Sequence, residues 1–291
     1  MTTPFSLRIF VADGDPDGLR FVERINWIGK AVVFPRTLLP KIVKLRKEFG
    51  QAGVYLLIGP RQDGGEGEML YVGEGDPVGD RLKDHYVKKD FWNRAVFFVA
   101  GQGQLNKAHI QYLEAQLIQR AKAAKRMPLD NQKLEKDPSL SEADLADMRL
   151  FLDNLLGILP VIGIHAFEQS GKPIQAGHES VLLCHSKGIE AKGYEATQGF
   201  VVQKGSQAIA KTQSSVMHGD LELRKELIDN GVMSKDGDSY RFTQDYVFNS
   251  PSAAAVAVLG RNANGRIEWR NAQGQTLKSL QEQEAGKGHE E

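Results

Sequence analysis

Apolar and polar residues follow several different periods along the chain, which predicts both strands and helices. Residues 51–59 and 69–73 are short runs rich in β-branched and aromatic side chains, as is typical of strands. The glycine-rich and charged residues 60–68 lie between them, so we predict a hairpin with a long loop. Apolar residues recur with helical spacing in residues 77–86 and 106–125, which predicts two helices after the hairpin.

The segment before this hairpin predicts a small β/α extension. Residues 6–12 are a strand-like apolar run, residues 13–18 form a turn rich in Asp and Gly, and residues 25–35 contain a second strand. Residues 36–49 have the pattern of a basic amphipathic helix, and Pro40 indicates that this helix begins late. We expect the extension to pack on the segment that follows it.

The pattern changes again after residue 135. Ser141 precedes an amphipathic helix at residues 145–156 that ends at Gly157, and a linker covers residues 168–178. Short strands then alternate with turns and helices, so the predicted class of the whole chain is α+β. Strands are predicted at residues 180–186, 190–197, 199–202 and 240–242, helices at residues 219–230 and 253–259, and a last structured run at residues 267–270.

Ionisable side chains occupy informative positions on the two helices after the hairpin. Arg81 and His85 are four residues apart, so one helix face presents a cation and an imidazole together. Glu114 lies inside the apolar stripe of the second helix, between Ile110 and Ile118. Because an unpaired buried charge is costly, Glu114 must titrate, pair with a cation or bind a metal ion. From the helix alone, an ion pair with Arg81 is favoured over a metal site.

Two tyrosine tripeptides on the hairpin strands complete the series. One strand carries Gly53-Val54-Tyr55, the other carries Tyr71-Val72-Gly73, and Asn131 ends the sequence Pro-Leu-Asp-Asn downstream. This series resembles the active site of the GIY-YIG nuclease family, and the resemblance covers residues 51–135. Fifteen residues separate Tyr55 from Tyr71, a longer spacing than is common in the family, although a loop insertion adds little closure entropy. Half-buried strand tyrosines without a catalytic role are the alternative interpretation.

The resemblance implies a small core in which helices flank an antiparallel sheet, and a metal-dependent phosphodiesterase activity. In the family, a helical Glu is the lone protein ligand of a divalent metal, two tyrosines and an Arg surround the scissile phosphate, and an Asn closes the motif. The expected cofactor is Mg²⁺ or Mn²⁺ acting as a Lewis acid. The matching catalytic positions are Tyr55, Tyr71, Arg81, His85, Glu114 and Asn131, with Glu114 as metal ligand and Gly53 and Gly73 keeping the backbone close to the substrate.

Each side chain of this set has an expected role. Arg81 would present its planar fork of donors to a non-bridging phosphate oxygen. Tyr55 would act as general base or relay a proton, which requires that Arg81 or the metal lower its pKa. Tyr71 and His85 would position the phosphate or the water, and a plain helix-surface role is the alternative for His85.

Composition narrows the class of protein. The chain has 291 residues of which 41% are hydrophobic, which predicts two domains with substantial cores. We find no signal-peptide pattern and no apolar run long enough to span a bilayer, so we expect a soluble, cytoplasmic protein with no membrane partner. The single cysteine, Cys184, allows neither an intramolecular disulfide nor a multi-cysteine zinc site and is interpreted as a buried strand thiol.

Charge is unevenly distributed although the net charge is zero. Basic residues cluster in the nuclease-like segment, whereas acidic residues gather at residues 135–153 and in the C-terminal tail. A basic segment of this kind suits contacts with the phosphates of DNA. Solvated helix faces are the alternative. A monomer has one site, so double-strand cleavage would need a homodimer or two successive visits. The basic residues are Lys83, Lys88, Lys89, Arg94, Lys107, Arg120, Lys122, Lys125 and Arg126.

The C-terminal part carries a second resemblance. Residues 249–277 resemble a small domain of unknown function that follows some bacterial GIY-YIG cores, and also the restriction-and-methylase-associated (RAMA) modules proposed to read DNA. Ser250 would cap the helix that follows it. Among substrate-binding candidates we place Lys107 in the nuclease-like segment and Arg261, Arg266 and Arg270 here, with ordinary surface charges as the alternative for the three arginines.

The expected protein is a DNA endonuclease with a C-terminal targeting module, acting in restriction, defence or repair. A nucleic-acid-binding scaffold with an idle nuclease domain is the alternative. The expected parts are an N-terminal extension at residues 1–50, a nuclease core at 51–135, a connector helix and linker at 136–178, a DNA-targeting domain at 179–280 and a flexible tail at 281–291.

Overall fold

The computed structural model describes residues 4–62, 67–101, 103–131, 138–168, 181–186, 188–196, 199–213 and 216–287. The chain divides into two compact units, Met1–Gln169 and Ser170–Glu291. Helices and antiparallel sheets occur in both, so the predicted α+β class is confirmed. No helix among the described residues has the length and apolar character needed to cross a bilayer.

A six-stranded antiparallel sheet forms the centre of the first unit. Its spatial order is β1-β2-β3-β6-β4-β5, and the N-terminal extension joins it because β3 pairs with β6 along the whole length of both strands. The strands are β1 (Leu7–Val11), β2 (Arg20–Arg24), β3 (Gly29–Pro35), β4 (Gly53–Pro60), β5 (Glu68–Gly75) and β6 (Arg94–Ala100).

Helices cover both faces of this sheet and bury a separate hydrophobic cluster on each. Side chains of β4 alternate between the two clusters, with Val54 and Leu56 on one face and Tyr55 and Leu57 on the other. The first face packs against α3 (Lys107–Ala124) and α4 (Glu142–Ile158), and the second against α1 (Leu39–Ile42) and α2 (Val78–Lys88).

The strongly periodic elements lie close to their predicted positions. Asn106 accepts a hydrogen bond from the amide of His109 and so caps α3, which explains why the helix begins at Lys107. Ser141 caps α4 in the same way through the amide of Asp144. The predicted end of α4 at Gly157 is wrong by one residue, because the helix continues to Ile158 before a short 3-10 turn.

The N-terminal extension differs more from the sequence prediction. The helix expected at residues 36–49 is wrong as a single element: a 3-10 turn precedes α1, and residues 43–46 separate α1 from a second 3-10 turn at Lys47–Gly50. Pro40 lies at the start of α1, where its missing amide costs nothing. The strand expected at residues 25–35 begins only at Gly29, and β2 was not predicted.

The central strand β6 was also not predicted. It is buried on both faces, so it has no alternation of polar and apolar residues. Its pairing with both β3 and β4 joins the extension to the hairpin that carries the two tyrosines.

The described residues of the second unit form two small antiparallel sheets and four helices. One sheet has the order β13-β9-β8-β7 and the other β10-β12-β11. The strands are β7 (Leu182–Ser186), β8 (Ile189–Ala196), β9 (Gly199–Val202), β10 (Gln207–Ile209), β11 (Met233–Asp236), β12 (Ser239–Phe242) and β13 (Tyr246–Phe248). The helices are α5 (His218–Asp229), α6 (Pro251–Leu259), α7 (Gly265–Glu268) and α8 (Leu277–Lys287).

Trp269 anchors the core of this unit. It is fully buried, packs against Phe200 with tilted rings whose centroids are 4.6 Å apart, and donates its indole hydrogen to the carbonyl of Pro251 at 3.0 Å. Ser250 caps α6, as predicted, and Cys184 is buried, which raises the pKa of its thiol to about 12.

Three expectations about the second unit need comment. The last run, residues 267–270, is divided between α7 and isolated β bridges of Arg270, because Trp269 packs into the core. Helix α8 continues to Lys287, past the expected start of the tail at residue 281. Residues 169–178 of the expected linker lie outside the described residues.

Candidate active site

Strand register places the two tyrosines on one face of the hairpin. Tyr55 of β4 is paired with Gly73 of β5, and Leu57 is paired with Tyr71, so both tyrosines lie on the face covered by α2. Their ring centroids are 6.2 Å apart. Tyr55 is fully buried, whereas Tyr71, on the outer strand, is partly exposed.

The glycines of the two tripeptides act through packing. A Cβ atom on Gly73 would lie 2.4 Å from both Cζ and Oη of Tyr55, so only glycine leaves room for that ring. A Cβ atom on Gly53 would lie 2.5 Å from the carbonyl oxygen of Phe98 in β6. Both glycines therefore set the position of Tyr55 and its strand, and their contact with a substrate stays a prediction.

His85 completes an aromatic cluster with the two tyrosines. Its ring centroid lies 5.7 Å from that of Tyr55 and 4.9 Å from that of Tyr71. The side chain is buried, and neither ring nitrogen has a hydrogen-bond partner within the described part of the chain. Burial, followed by the positive charges of Arg81 and Lys89, lowers the pKa of His85 to about 4. His85 is therefore a neutral imidazole at physiological pH, and it is not on the helix surface.

Tyr55 also has an unsatisfied polar atom. Its hydroxyl is buried and makes no hydrogen bond of acceptable geometry among the described residues, although the Tyr71 hydroxyl is close enough to raise its pKa as a hydrogen-bond partner would. Burial raises the pKa of Tyr55 well above its ordinary value, and Tyr71 and Glu114 raise it further while Arg81 opposes them. Burial and Glu114 raise the pKa of Tyr71 in the same direction. Both side chains are thus neutral phenols that can donate a hydrogen bond, and Tyr55 could act as a base only where an additional cation lowered its pKa.

Arg81 lies one turn before His85 on α2, at the solvent side of the cluster. Its side chain is about half exposed, and its guanidinium lies 3.9 Å from the carboxylate of Asp84. Burial would lower the pKa of Arg81, but Tyr55, Tyr71 and Glu74 raise it more. A Cβ atom on Gly75 would meet the Arg81 side chain at 2.8 Å, so the end of β5 leaves space for this arginine.

Glu114 is buried on α3, which packs on β4 and β5 from the opposite face of the sheet. It nevertheless lies close enough to raise the pKa of both tyrosines. Within the described ranges, no group of three or more His, Cys, Asp or Glu side chains is arranged to hold a metal ion. That Glu114 would be the lone carboxylate ligand of a cation stays a prediction. The ion pair with Arg81 stays the alternative.

Asn131 binds backbone groups. Its Oδ1 accepts a hydrogen bond from the amide of Val72 at 2.9 Å, and its Nδ2 donates to the carbonyl of the same residue at 2.7 Å. The preceding residues pair with β5 through an isolated parallel bridge, in which the amide of Leu70 donates to the carbonyl of Pro128 and the amide of Asp130 donates to the carbonyl of Leu70. Asn131 therefore positions the strand of Tyr71, and a direct catalytic contact stays a prediction.

Sequence reasoning placed Lys89 only in the general basic cluster. Its ammonium lies 4.5 Å from the ring centroid of Tyr71 and 2.5 Å from the carboxylate of Asp130. Neither partner could be identified from the sequence, because Lys89 follows the end of α2 while Asp130 lies forty-one positions further on.

The expected substrate-binding cations all have partners within the protein. Lys107 pairs with Glu74 at 2.5 Å. Arg261 pairs with Glu268 at 2.8 Å, Arg266 donates to the side chain of Gln281 at 2.8 Å, and Arg270 donates weakly to the carbonyl of Gly274 at 3.4 Å. The ammonium or guanidinium of each would have to exchange or share its partner to contact a phosphate.

Comparisons with known proteins inform the second unit alone. Residues 182–281 match the model of a family described as a domain of unknown function, DUF4357. This similarity covers most of the C-terminal unit, and no GIY-YIG family model matches residues 51–135. No curated protein matches the chain, and no solved structure matches it.

Proposed function

We propose that the first unit is a GIY-YIG type endonuclease that hydrolyses phosphodiester bonds of DNA with Mg²⁺ or Mn²⁺. The observation that carries the proposal is the cluster of Tyr55, Tyr71 and His85 beside Arg81. In it, a buried phenolic oxygen and two buried imidazole nitrogens have no hydrogen-bond partner among the described residues.

Such a cluster is unfavourable for folding alone. A buried polar group without a partner costs about 1–3 kcal/mol, so native proteins retain few of them, and functional sites are where they are retained. The neutral phenol of Tyr55 offers a donor, and neutral His85 offers one donor and one acceptor. These groups suit a phosphate oxygen and an attacking water, which together need both kinds of partner.

The charged residues fit a phosphoryl substrate. Arg81 is the half-exposed cation of the cluster, so its fork of donors can bind a non-bridging oxygen from the solvent side. Asn131 holds the strand of Tyr71 through both backbone groups of Val72, and Gly73 leaves room for the Tyr55 ring, so both phenols are held in position.

The donor set also fits the implied metal. Glu114 offers a single hard carboxylate, and Mg²⁺ in such sites keeps several waters and binds through the phosphate. When bound, the cation would supply Lewis-acid stabilisation of the leaving oxygen. The protein itself would orient the phosphate through Arg81, hold the water through His85 and Tyr71, and donate or relay a proton at the Tyr55 hydroxyl.

We also propose that the second unit directs the cleavage. Its domain matches a family of unknown function, and Arg261, Arg266 and Arg270 give it exposed or partly exposed positive charge. A homodimer would supply the two sites needed for concerted double-strand cleavage.

Cleavage of a supercoiled plasmid tests the proposal. The wild type should nick or linearise the plasmid with Mg²⁺ or Mn²⁺ and should be inactive with a chelator. Glu114→Ala should abolish the reaction, while the control Glu142→Ala, at an exposed carboxylate on α4, should leave it unchanged. Equal rates for Glu114→Ala and wild type would contradict the metal assignment.

One observation favours the second candidate, a nucleic-acid-binding scaffold with an idle nuclease domain. Tyr55 has 0% of its surface exposed, so its hydroxyl has no direct access to solvent. A gel-shift assay beside the cleavage assay separates the candidates, since the scaffold would bind DNA and leave it intact with either metal.

A further inference from the structure

Lys89 holds two groups at once beside the candidate site. Its ammonium lies 4.5 Å from the Tyr71 ring centroid and 2.5 Å from Asp130 Oδ2. The side chains of Lys89 and Asp130 are only 25% and 27% exposed, so solvent screens this pair less than an exposed surface pair. A cation over the face of an aromatic ring is attracted by the ring quadrupole, and partial desolvation strengthens that attraction.

The backbone of Lys89 is fixed from the other side. Its amide donates to the carbonyl of His85 at 2.9 Å and so closes the last turn of α2. Its carbonyl accepts a hydrogen bond from Arg36 at 2.8 Å, and Arg36 also binds the carbonyl of Tyr86 at 2.8 Å. The guanidinium of Arg36 lies 5.0 Å from the ring centroid of Trp92. The backbone of Lys89 is therefore fixed by hydrogen bonds of both its amide and its carbonyl.

Asp130 belongs to an equally fixed segment. Its amide donates to the carbonyl of Leu70 at 2.8 Å, and the next residue, Asn131, binds both backbone groups of Val72. Tyr71 lies between Leu70 and Val72 on β5. The pair of Lys89 and Asp130 thus links the end of α2 to the segment that ends in Asn131. That segment is bonded to Leu70 and Val72, the two neighbours of Tyr71 in the chain.

We propose that Lys89 is a positioning residue of the candidate site, which acts through Tyr71 by holding its ring between α2 and the Asp130 segment. Its expected effect on cleavage rests on the proposed nuclease function, whereas its effect on Tyr71 does not. The ammonium has Asp130 and the Tyr71 ring as its partners, so this assignment gives it no direct contact with substrate.

Three full-length variants test the kinetic consequence. Lys89→Met should lower kcat for plasmid cleavage by about tenfold or more, since small displacements of positioned groups have large effects on rate, and should leave KM unchanged. Lys89→Arg should restore most of the rate, because an arginine can also stack on the ring and pair with Asp130. The control Lys44→Met, at an exposed lysine outside the basic cluster of the nuclease-like segment, should behave as wild type.

A direct phosphate contact would give a different result. In that case Lys89→Met would raise KM. It would also reduce the slope of the logarithm of the DNA-binding constant against the logarithm of the salt concentration by about one, and the positioning role would be overturned.

A second readout does not depend on cleavage. In protein with ¹³C-labelled tyrosine rings, the resonance of Tyr71, assigned with Tyr71→Phe, should shift in Lys89→Met and should not shift in Lys44→Met. Asp130→Asn, which keeps the side-chain shape, should shift the same resonance. An unchanged Tyr71 resonance in folded Lys89→Met or in Asp130→Asn would overturn the inference. If the wild type does not cleave DNA while the resonance shifts, the proposed function fails and the positioning of Tyr71 by Lys89 stands.

Discussion

The contact between Gly73 and Tyr55 gives the sharpest structural prediction. Gly73→Ala adds one carbon atom, which would lie 2.4 Å from both Cζ and Oη of a fully buried ring. The ring cannot withdraw easily, because it packs against His85 at 5.7 Å between centroids and against the other apolar residues of its cluster. The strand or the ring must therefore shift.

The expected cost follows from overpacking. Inserting a methyl group into a packed core costs about 1–3 kcal/mol. For a unit of this size, each kcal/mol lowers the melting temperature by about 2–4 °C, so Gly73→Ala should lower it by roughly 2–12 °C. Because Tyr55 moves, plasmid cleavage should fall more than stability alone explains.

Thermal unfolding followed by circular dichroism measures the effect, with Gly50→Ala as the control, because a Cβ atom on exposed Gly50 meets nothing within 4 Å. The double variant Gly73→Ala/Tyr55→Leu should lose less stability than the sum of the two single variants, since leucine lacks the ring atoms that the added methyl group meets and the clash of Gly73→Ala is relieved. An unchanged melting temperature for Gly73→Ala, or additive losses, would refute the contact.

Three further predictions concern charge. The lowered pKa of His85, about 4, means that the unfolded chain takes up the proton first as the pH falls below 6.5, so stability should decline between pH 6.5 and 4. Urea unfolding at several pH values should show a smaller decline in His85→Phe, and an equal decline in that variant would contradict the assignment. Arg81→Lys keeps the charge and loses the fork of donors, so DNA affinity should change little while the cleavage rate falls by about 10²-fold, and equal rates would remove Arg81 from the catalytic set. Arg266→Gln and Arg270→Gln in the full-length protein should each reduce the slope of the logarithm of the DNA-binding constant against the logarithm of the salt concentration by about one, as expected for the loss of one phosphate contact. Unchanged slopes would favour a role in protein contacts for this surface.

The elements with strong local signals were predictable from the sequence. Helix α3 has an Asn cap and a continuous apolar stripe, and α6 has a Ser cap followed by Pro, so the start of each helix follows from local chemistry. The two tyrosines were placed on one hairpin for a similar reason, since both runs are short and rich in strand-forming residues.

Other features depend on tertiary contacts that no local pattern reveals. Strand β6 is buried on both faces, so its sequence is uniformly apolar and carries no period. The helix expected at residues 36–49 is interrupted because Ile42 and Phe49 are drawn separately into the cluster under α2. At the site, the residue types were predictable, whereas the unsatisfied atoms of Tyr55 and His85 and the partners of Lys89 emerge only from the assembled fold.

The most direct test of the proposed function is Tyr55→Phe, measured for stability and cleavage in the same preparation. The substitution removes a buried hydroxyl without a described partner, so the free energy of unfolding should stay unchanged or rise by about 1 kcal/mol. Cleavage of supercoiled plasmid with Mg²⁺ should fall by about 10²-fold or more, because the proton donor or relay is lost. Tyr112→Phe, at another buried tyrosine on α3, serves as the control and should cleave as wild type. Cleavage by Tyr55→Phe at the wild-type rate, or a loss of stability with proportionate loss of activity, would show that the hydroxyl serves the fold and would contradict the account.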